Sequence, residues 1–133
     1  MSQENVDRLR EGFAAFNREG VEAILELVAP DFEAETPPEL SVEPDTYRGH
    51  AGVRRYFESF YEAMDKVEFQ PERFVAVGEL VVVPITLRAR GRTTGIETEQ
   101  RVVQVWELLG EKAIRVEVFP TVDEAIAAAR ESR

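Results

Sequence analysis

Leu80–Phe119 reads LVVVPITLRARGRTTGIETEQRVVQVWELLGEKAIRVEVF, and this stretch decides the fold class. It divides into three runs with the period and β-branched content of strands, Leu80–Arg90, Gly95–Leu109 and Ala113–Phe119. Gly91 to Thr94 and Gly110-Glu111 separate them, and Gly78-Glu79 separates the first from a further run, Val67–Val77. Connections this short suit antiparallel hairpins and cannot carry a parallel crossover. The expectation is an antiparallel sheet.

A three-residue turn around Gly110 and Glu111 predicts the register of the last hairpin. It sets Leu108 opposite Ile114, Trp106 opposite Val116 and Gln104 opposite Val118, a face that is apolar except for Gln104. The other face sets Val105 opposite Glu117 and Glu107 opposite Arg115, a charge match worth roughly 0.2–1 kcal/mol. A one-residue slip would bring Glu107 against Ile114, so the hydrophobic pattern selects the first register.

Upstream, the period becomes helical. Val6, Leu9, Phe13 and Phe16 recur at steps of three and four with charged residues between them, predicting a helix over 3–18 that stops at Gly20. A second helix over 21–28 buries Ile24, Leu25 and Val28 and ends before Pro30, and Phe32 to Thr36 reads as a first strand. Residues 37–46, with three prolines and no periodicity, read as a semi-stiff loop able to cover a pocket mouth. Val53, Tyr56, Phe57, Phe60, Tyr61 and Met64 then give the richest aromatic helix face, over 51–64. Thr121-Val-Asp-Glu124 fits a capping box opening a short last helix over 121–130.

Composition bounds the function classes. The 133 residues suffice for one domain, with 44% hydrophobic residues to build a core. A net charge of −10 repels phosphate backbones and anionic lipid, so neither nucleic acid nor membrane is an expected partner. Arg88, Arg90 and Arg92 read as a solvated strand end. The longest apolar run, Leu80 to Leu87, is far short of the ~20 residues that span a bilayer. The amino terminus mixes both charges where a secretion signal needs a basic start and an apolar stretch, so the cytoplasm is the expected compartment. With no cysteine there is neither a disulfide nor a thiolate.

Phe13-Ala-Ala-Phe-Asn-Arg-Glu-Gly20, Leu27-Val-Ala-Pro-Asp-Phe32, Tyr47-Arg-Gly-His-Ala-Gly-Val-Arg-Arg-Tyr-Phe57 and Lys112-Ala-Ile-Arg-Val-Glu-Val-Phe119 occur in an order that resembles the SnoaL-like, polyketide-cyclase-like branch of the nuclear transport factor two superfamily. The resemblance runs from about Val6 to Ala128. It implies an α+β cone, a curved antiparallel sheet on three helices of the amino-terminal half plus a short carboxy-terminal helix, with a pocket inside. It also implies a homodimer, for which Val103, Val105 and Phe119 are the apolar residues of the outer sheet face.

The superfamily includes isomerases, cyclases, dehydratases and epoxide hydrolases, so the fold alone does not give the reaction. The ketosteroid isomerases need a carboxylate base and an oxyanion hole of a tyrosine and a protonated aspartate. Carried over, the tyrosine falls on Gly12, the base on Thr36 and the third group on Gln104. Glycine has no donor and threonine is too weak a base, so isomerase chemistry is not expected. A slip of one residue would place Glu35 at the base position. Strand alternation turns Glu33 and Glu35 away from Thr36's face, leaving Asp31, Glu39, Glu43 and Asp45 as the acids near a mouth.

The expected ligand-binding set is Phe16, Thr36, Tyr56, Phe57, Phe60, Gln104 and Trp106, although most of these aromatics would serve equally as plain core. Gln104 is the sharper signal, because a buried amide needs partners that an apolar face does not supply. His50, the only histidine, reads as an exposed helix-start residue, and Glu97 and Glu99 as a solvated strand end, so neither metal nor cofactor is expected. The expected function is binding of a small apolar or cyclic molecule. The alternatives are a cyclase, isomerase or hydrolase with unrecognised acids, and an assembly domain whose cone is filled by side chains.

Overall fold

The computed structural model describes residues 2–35 and 46–131, with the side chains of Ser2, Thr46 and Phe60 outside the description. Among the described residues, four helices, α1 (Ser2–Glu19), α2 (Val21–Leu27), α3 (Gly49–Ala63) and α4 (Val122–Glu131), accompany seven strands. These are β1 (Val28–Glu35), β2 (Thr46–Arg48), β3 (Met64–Pro71), β4 (Val75–Val77), β5 (Leu80–Gly91), β6 (Glu97–Leu109) and β7 (Lys112–Phe119). One curled sheet runs in the order β2-β1-β7-β6-β5-β3, with β4 also on β5. It wraps the first three helices as an α+β cone, and α4 packs on the opposite face.

The predicted helical face of α1 is the buried one: Val6, Leu9, Phe13 and Phe16 join Val81, Val83, Ile85 and Leu87 of β5 in one core. Gly20, at φ 92, ends α1 where a side chain would be strained. Gly12 is where α1 and α2 meet, since a Cβ there would lie 2.9 Å from a Leu27 methyl. The last carbonyls of α2 receive a cation from far along the chain, the Lys112 ammonium on the Glu26 oxygen.

Five expectations need correction. Val28 opens β1 instead of closing α2, and Met64 opens β3 instead of closing α3. Thr46–Arg48, a loop end by sequence, forms β2 antiparallel to β1; residues 37–45 lie outside the described residues. β1 runs parallel to β7, which makes the sheet mixed; the short-turn argument governs only the hairpins from β3 onward. Finally, the single strand expected over 67–77 is two. Pro84 of β5 accepts from the Glu72 amide at 2.8 Å, and a strand residue turns its N–H and C=O to the same side. Proline has no N–H, so the ladder loses a bond on that side, where β3 gives way to β4.

The predicted register of the last hairpin holds from Val103↔Phe119 to Glu107↔Arg115. It shifts by one beyond Glu107, so Leu108 pairs with Ala113 and not with Ile114. Gly110, at φ 63, makes the tight turn between Leu109 and Lys112, and the bulge near Ile114 absorbs the extra residue. On the outer face, Val82, Val103 and Val105 are buried under Ala125 and Ala129 of α4. The chain's own α4 thus covers Val103 and Val105 of the apolar face expected to carry a homodimer contact, while Phe119 is half-buried beside them. Thr121 starts that helix as predicted, its hydroxyl oxygen accepting from the Glu124 amide at 3.2 Å.

Candidate functional site

Curling the sheet around α1 to α3 leaves a cavity of about 80 Å³ inside the cone. Its walls come from α1 (Phe13, Phe16), β1 (Val28, Phe32, Ala34), α3 (Val53, Tyr56, Phe57), β6 (Gln104, Trp106) and β7 (Val116, Val118), with Ile24, Tyr47 and Phe69. The rings interlock: Phe16 sits 4.9 Å from Phe57 and 5.1 Å from Phe69, and Trp106 meets Phe13 edge-on at 6.1 Å. Of the expected ligand-binding residues, Phe16, Tyr56, Phe57, Gln104 and Trp106 converge on this cavity. Thr36 and the Phe60 side chain lie outside the described residues. Tyr47 and Phe69 were missed by sequence reasoning. Tyr47 precedes the third helix, where no periodicity assigns its face, whereas the alternation of Val67 and Phe69 was a readable signal.

Gln104 is the polar centre of this wall. It lies on β6 between Val83 of β5 and Val118 of β7, and its Oε1 accepts from Trp106 Nε1 at 2.8 Å. Across the cavity Tyr47 and Tyr56 meet edge-on at 5.1 Å, with the Arg55 guanidinium 4.7 Å from the Tyr47 ring centre. Burial, reinforced by the neighbouring Tyr47 phenol, pushes the Tyr56 hydroxyl up to about 12, so it stays a neutral donor at pH 7.

Among the described residues, the acids near the site lie outside the cavity wall. Phe32 and Ala34 line it, while Glu33 and Glu35 pair with Arg48 at 3.1 Å and Arg115 at 3.3 Å. His50 is not the exposed residue expected. It is half-buried and donates from Nε2 to the Val28 carbonyl at 2.9 Å, tying α3 to β1. Among the described residues no three His, Asp or Glu side chains gather as metal ligands. The three arginines of the β5 end lie at the surface, as expected, and each also has a partner. Arg90 binds Asp65 at 2.9 and 3.0 Å, Arg88 lies 3.6 Å from Glu99, and Arg92 donates to the Tyr61 and Met64 carbonyls. The hydrogen bond from Arg90 holds the Asp65 carboxyl below the usual range. These pairs edge an open cleft of about 670 Å³ between the carboxy-terminal ends of α1 and α3 and the long β5–β6 hairpin.

A family model described as a SnoaL-like domain matches residues 9–116. The chain belongs to the SnoaL-like family. Solved structures agree with this across the length of the SnoaL-like domain. An NTF2-like protein of unknown function from Burkholderia pseudomallei is 25% identical, covering 93% of this chain and 95% of that one, with a TM-score of 0.78. One from Burkholderia xenovorans is 27% identical over 98% of each chain, TM-score 0.72. SalBIII, an epoxide hydrolase/cyclase-like enzyme with a role in pyran ring formation in the polyether salinomycin, is 25% identical over 91% of this chain and 93% of its own, TM-score 0.74. No curated protein matches this SnoaL-like domain.

Proposed function

We propose that this SnoaL-like domain binds one small, uncharged, largely apolar molecule inside its cone, and does so without ketosteroid-isomerase chemistry. The observation that carries this reading is the wall itself, which among the described residues holds aromatic and aliphatic side chains, two tyrosines and Gln104 but no carboxylate, amine or imidazole. Proton abstraction next to a carbonyl needs a base, and a tyrosine held at about 12 is not one at neutral pH. Size points the same way. At about 80 Å³ the cavity is smaller than the ~150 Å³ that admits benzene, and far below the ~300–1,000 Å³ of pockets for drug-sized ligands. A larger guest requires the aromatic rings to part.

The test is a titration with 2-butanone followed by NMR. The chain has one tryptophan, so a single indole N–H signal reports on the cavity wall. A saturable shift of that signal, abolished in Ala34→Leu, which fills the cavity, supports the reading; a shift that grows linearly and survives in Ala34→Leu overturns it.

A second reading, a ring-closing or hydrolytic enzyme, is favoured by the likeness to SalBIII. Of the described wall residues only Tyr47 and Tyr56 could then hand a proton to an opening epoxide. Closure of a short epoxy-alcohol that is lost in Tyr56→Phe would favour the enzyme over the binding protein.

A further inference from the structure

We infer that the cavity selects an uncharged ligand carrying a hydrogen-bond acceptor, a carbonyl or ether oxygen, which seats against the amide nitrogen of Gln104, and that Trp106 sets this preference by fixing which way the Gln104 amide points. The inference rests on the binding role proposed above and names the ligand class of the same site.

The two ends of a glutamine amide are opposite in character, an acceptor oxygen and a donor nitrogen, so its orientation decides what it can recognise. Here the orientation follows from chemistry. An indole nitrogen can only donate, so the atom 2.8 Å from Trp106 Nε1 is the Gln104 oxygen. The nitrogen is therefore the end that remains, and it makes no hydrogen bond among the described residues. No fully buried side-chain nitrogen or oxygen among them lacks a partner, so this nitrogen is not sealed within protein and opens on the cavity that Gln104 lines. Its strand neighbours on both sides, Val83 and Val118, have no polar side-chain atoms to answer it. A guest that leaves a donor unanswered loses binding relative to one that supplies an acceptor. A cation would gain from the ring faces, but it would shed its hydration facing a donor, with no carboxylate among the described wall residues. Neutral acceptors win on both counts.

Three probes of similar size separate the cases: 2-butanone, its olefin isostere 2-methyl-1-butene, and isopropylammonium. The quantity read is the change in the ketone-to-olefin affinity ratio between variant and wild type, in which the differing hydrophobicity of the probes cancels. Gln104→Met keeps the length and leaves a sulfur for Trp106 while removing the donor. It should lower the ratio about 2- to 10-fold, the factor one neutral hydrogen bond is worth. Trp106→Phe, which frees the amide to turn, should lower it by a smaller factor with olefin affinity changed less than ketone affinity. In the wild type the Gln104 amide protons should shift with the ketone and not with the olefin. An unchanged ratio in Gln104→Met, with the olefin still bound, overturns the acceptor preference and leaves the binding role standing. Tighter binding of isopropylammonium than of the ketone also overturns it. Failure of all three probes sinks the binding role, and this inference with it.

Discussion

Asn17 pairs with the main chain of Phe69 as a strand would: its Nδ2 donates to the Phe69 oxygen at 2.8 Å and its Oδ1 accepts from the Phe69 amide at 3.0 Å. Phe69 belongs to β3, an end strand of the sheet, whose outward main-chain groups would otherwise be open to another chain. A side chain of α1 thus closes the edge at the residue whose ring lines the cavity. Asn17→Ala should lower stability by about 1–2 kcal/mol, and Asn17→Asp, which sets a carboxylate oxygen against the Phe69 carbonyl, by at least as much. Urea midpoints of both variants should lie below that of the wild type.

Gly52 lies where α3 passes over the Tyr47 backbone, and a Cβ there would come within 3.0 Å of the Tyr47 carbonyl carbon. Alanine is favoured over glycine inside a helix by ~1 kcal/mol. Overpacking against backbone costs ~1–3 kcal/mol and does not relax by rotating a side chain. Gly52→Ala should therefore melt lower than the wild type, against its helix propensity.

Tyr56 supplies an alkaline signature. Its folded-state value, about 12, lies above the ordinary value of 10.0, so the unfolded chain releases this proton first. The contribution is fully present below pH ~10 and is lost as pH rises from there towards 12, amounting to at most about 2–3 kcal/mol. Comparing denaturation at pH 8 and pH 11, the wild type should lose more stability than Tyr56→Phe. Equal losses would mean that Tyr56 titrates as in the unfolded chain.

Incubated with a β,γ-unsaturated ketosteroid, the wild type should form no conjugated enone above background. Gly12 offers no donor, and Glu35, the acid nearest the base position in sequence, is engaged with Arg115 away from the cavity. Losing a base and an oxyanion donor removes roughly 10²–10⁴ and 10²–10³ in rate. Turnover that vanishes in Glu35→Gln would show the opposite strand parity.

Removing α4 tests what covers the outer face. Deleting residues 122–133 uncovers Val82, Val103 and Val105, which Ala125 and Ala129 otherwise bury. At micromolar concentration the truncated chain should sediment as a larger species than the intact one. Equal masses would show that this face is not adhesive.

Much of this architecture was legible in local pattern. The buried stripe of α1, the hairpins and the inward turn of Gln104 and Trp106 follow from periods of 3.6 and 2, which depend on near neighbours in sequence. The parallel contact of β1 with β7 did not, because Ala34 and Val116 meet through the closure of the whole cone and no turn between them sets their register. The break between β3 and β4 was readable in principle from Pro84, once it is asked which neighbour loses the missing N–H. The cavity was legible in part: Phe16, Tyr56, Phe57, Gln104 and Trp106 carry a periodic signal, and Tyr47 carries none. Its size depends on how the rings nest, which pattern does not encode.

The pairing of β1 with β7 also bears on how the chain comes into being. Residues 28–35 are made well before their partners at 113–117. In the interval the apolar stripe of α1 has no sheet to lie on, because β5 and β6 are also made late. Assembly of the cone must therefore wait until β5 to β7 have emerged, and until then Leu9, Phe13 and Phe16 lie uncovered.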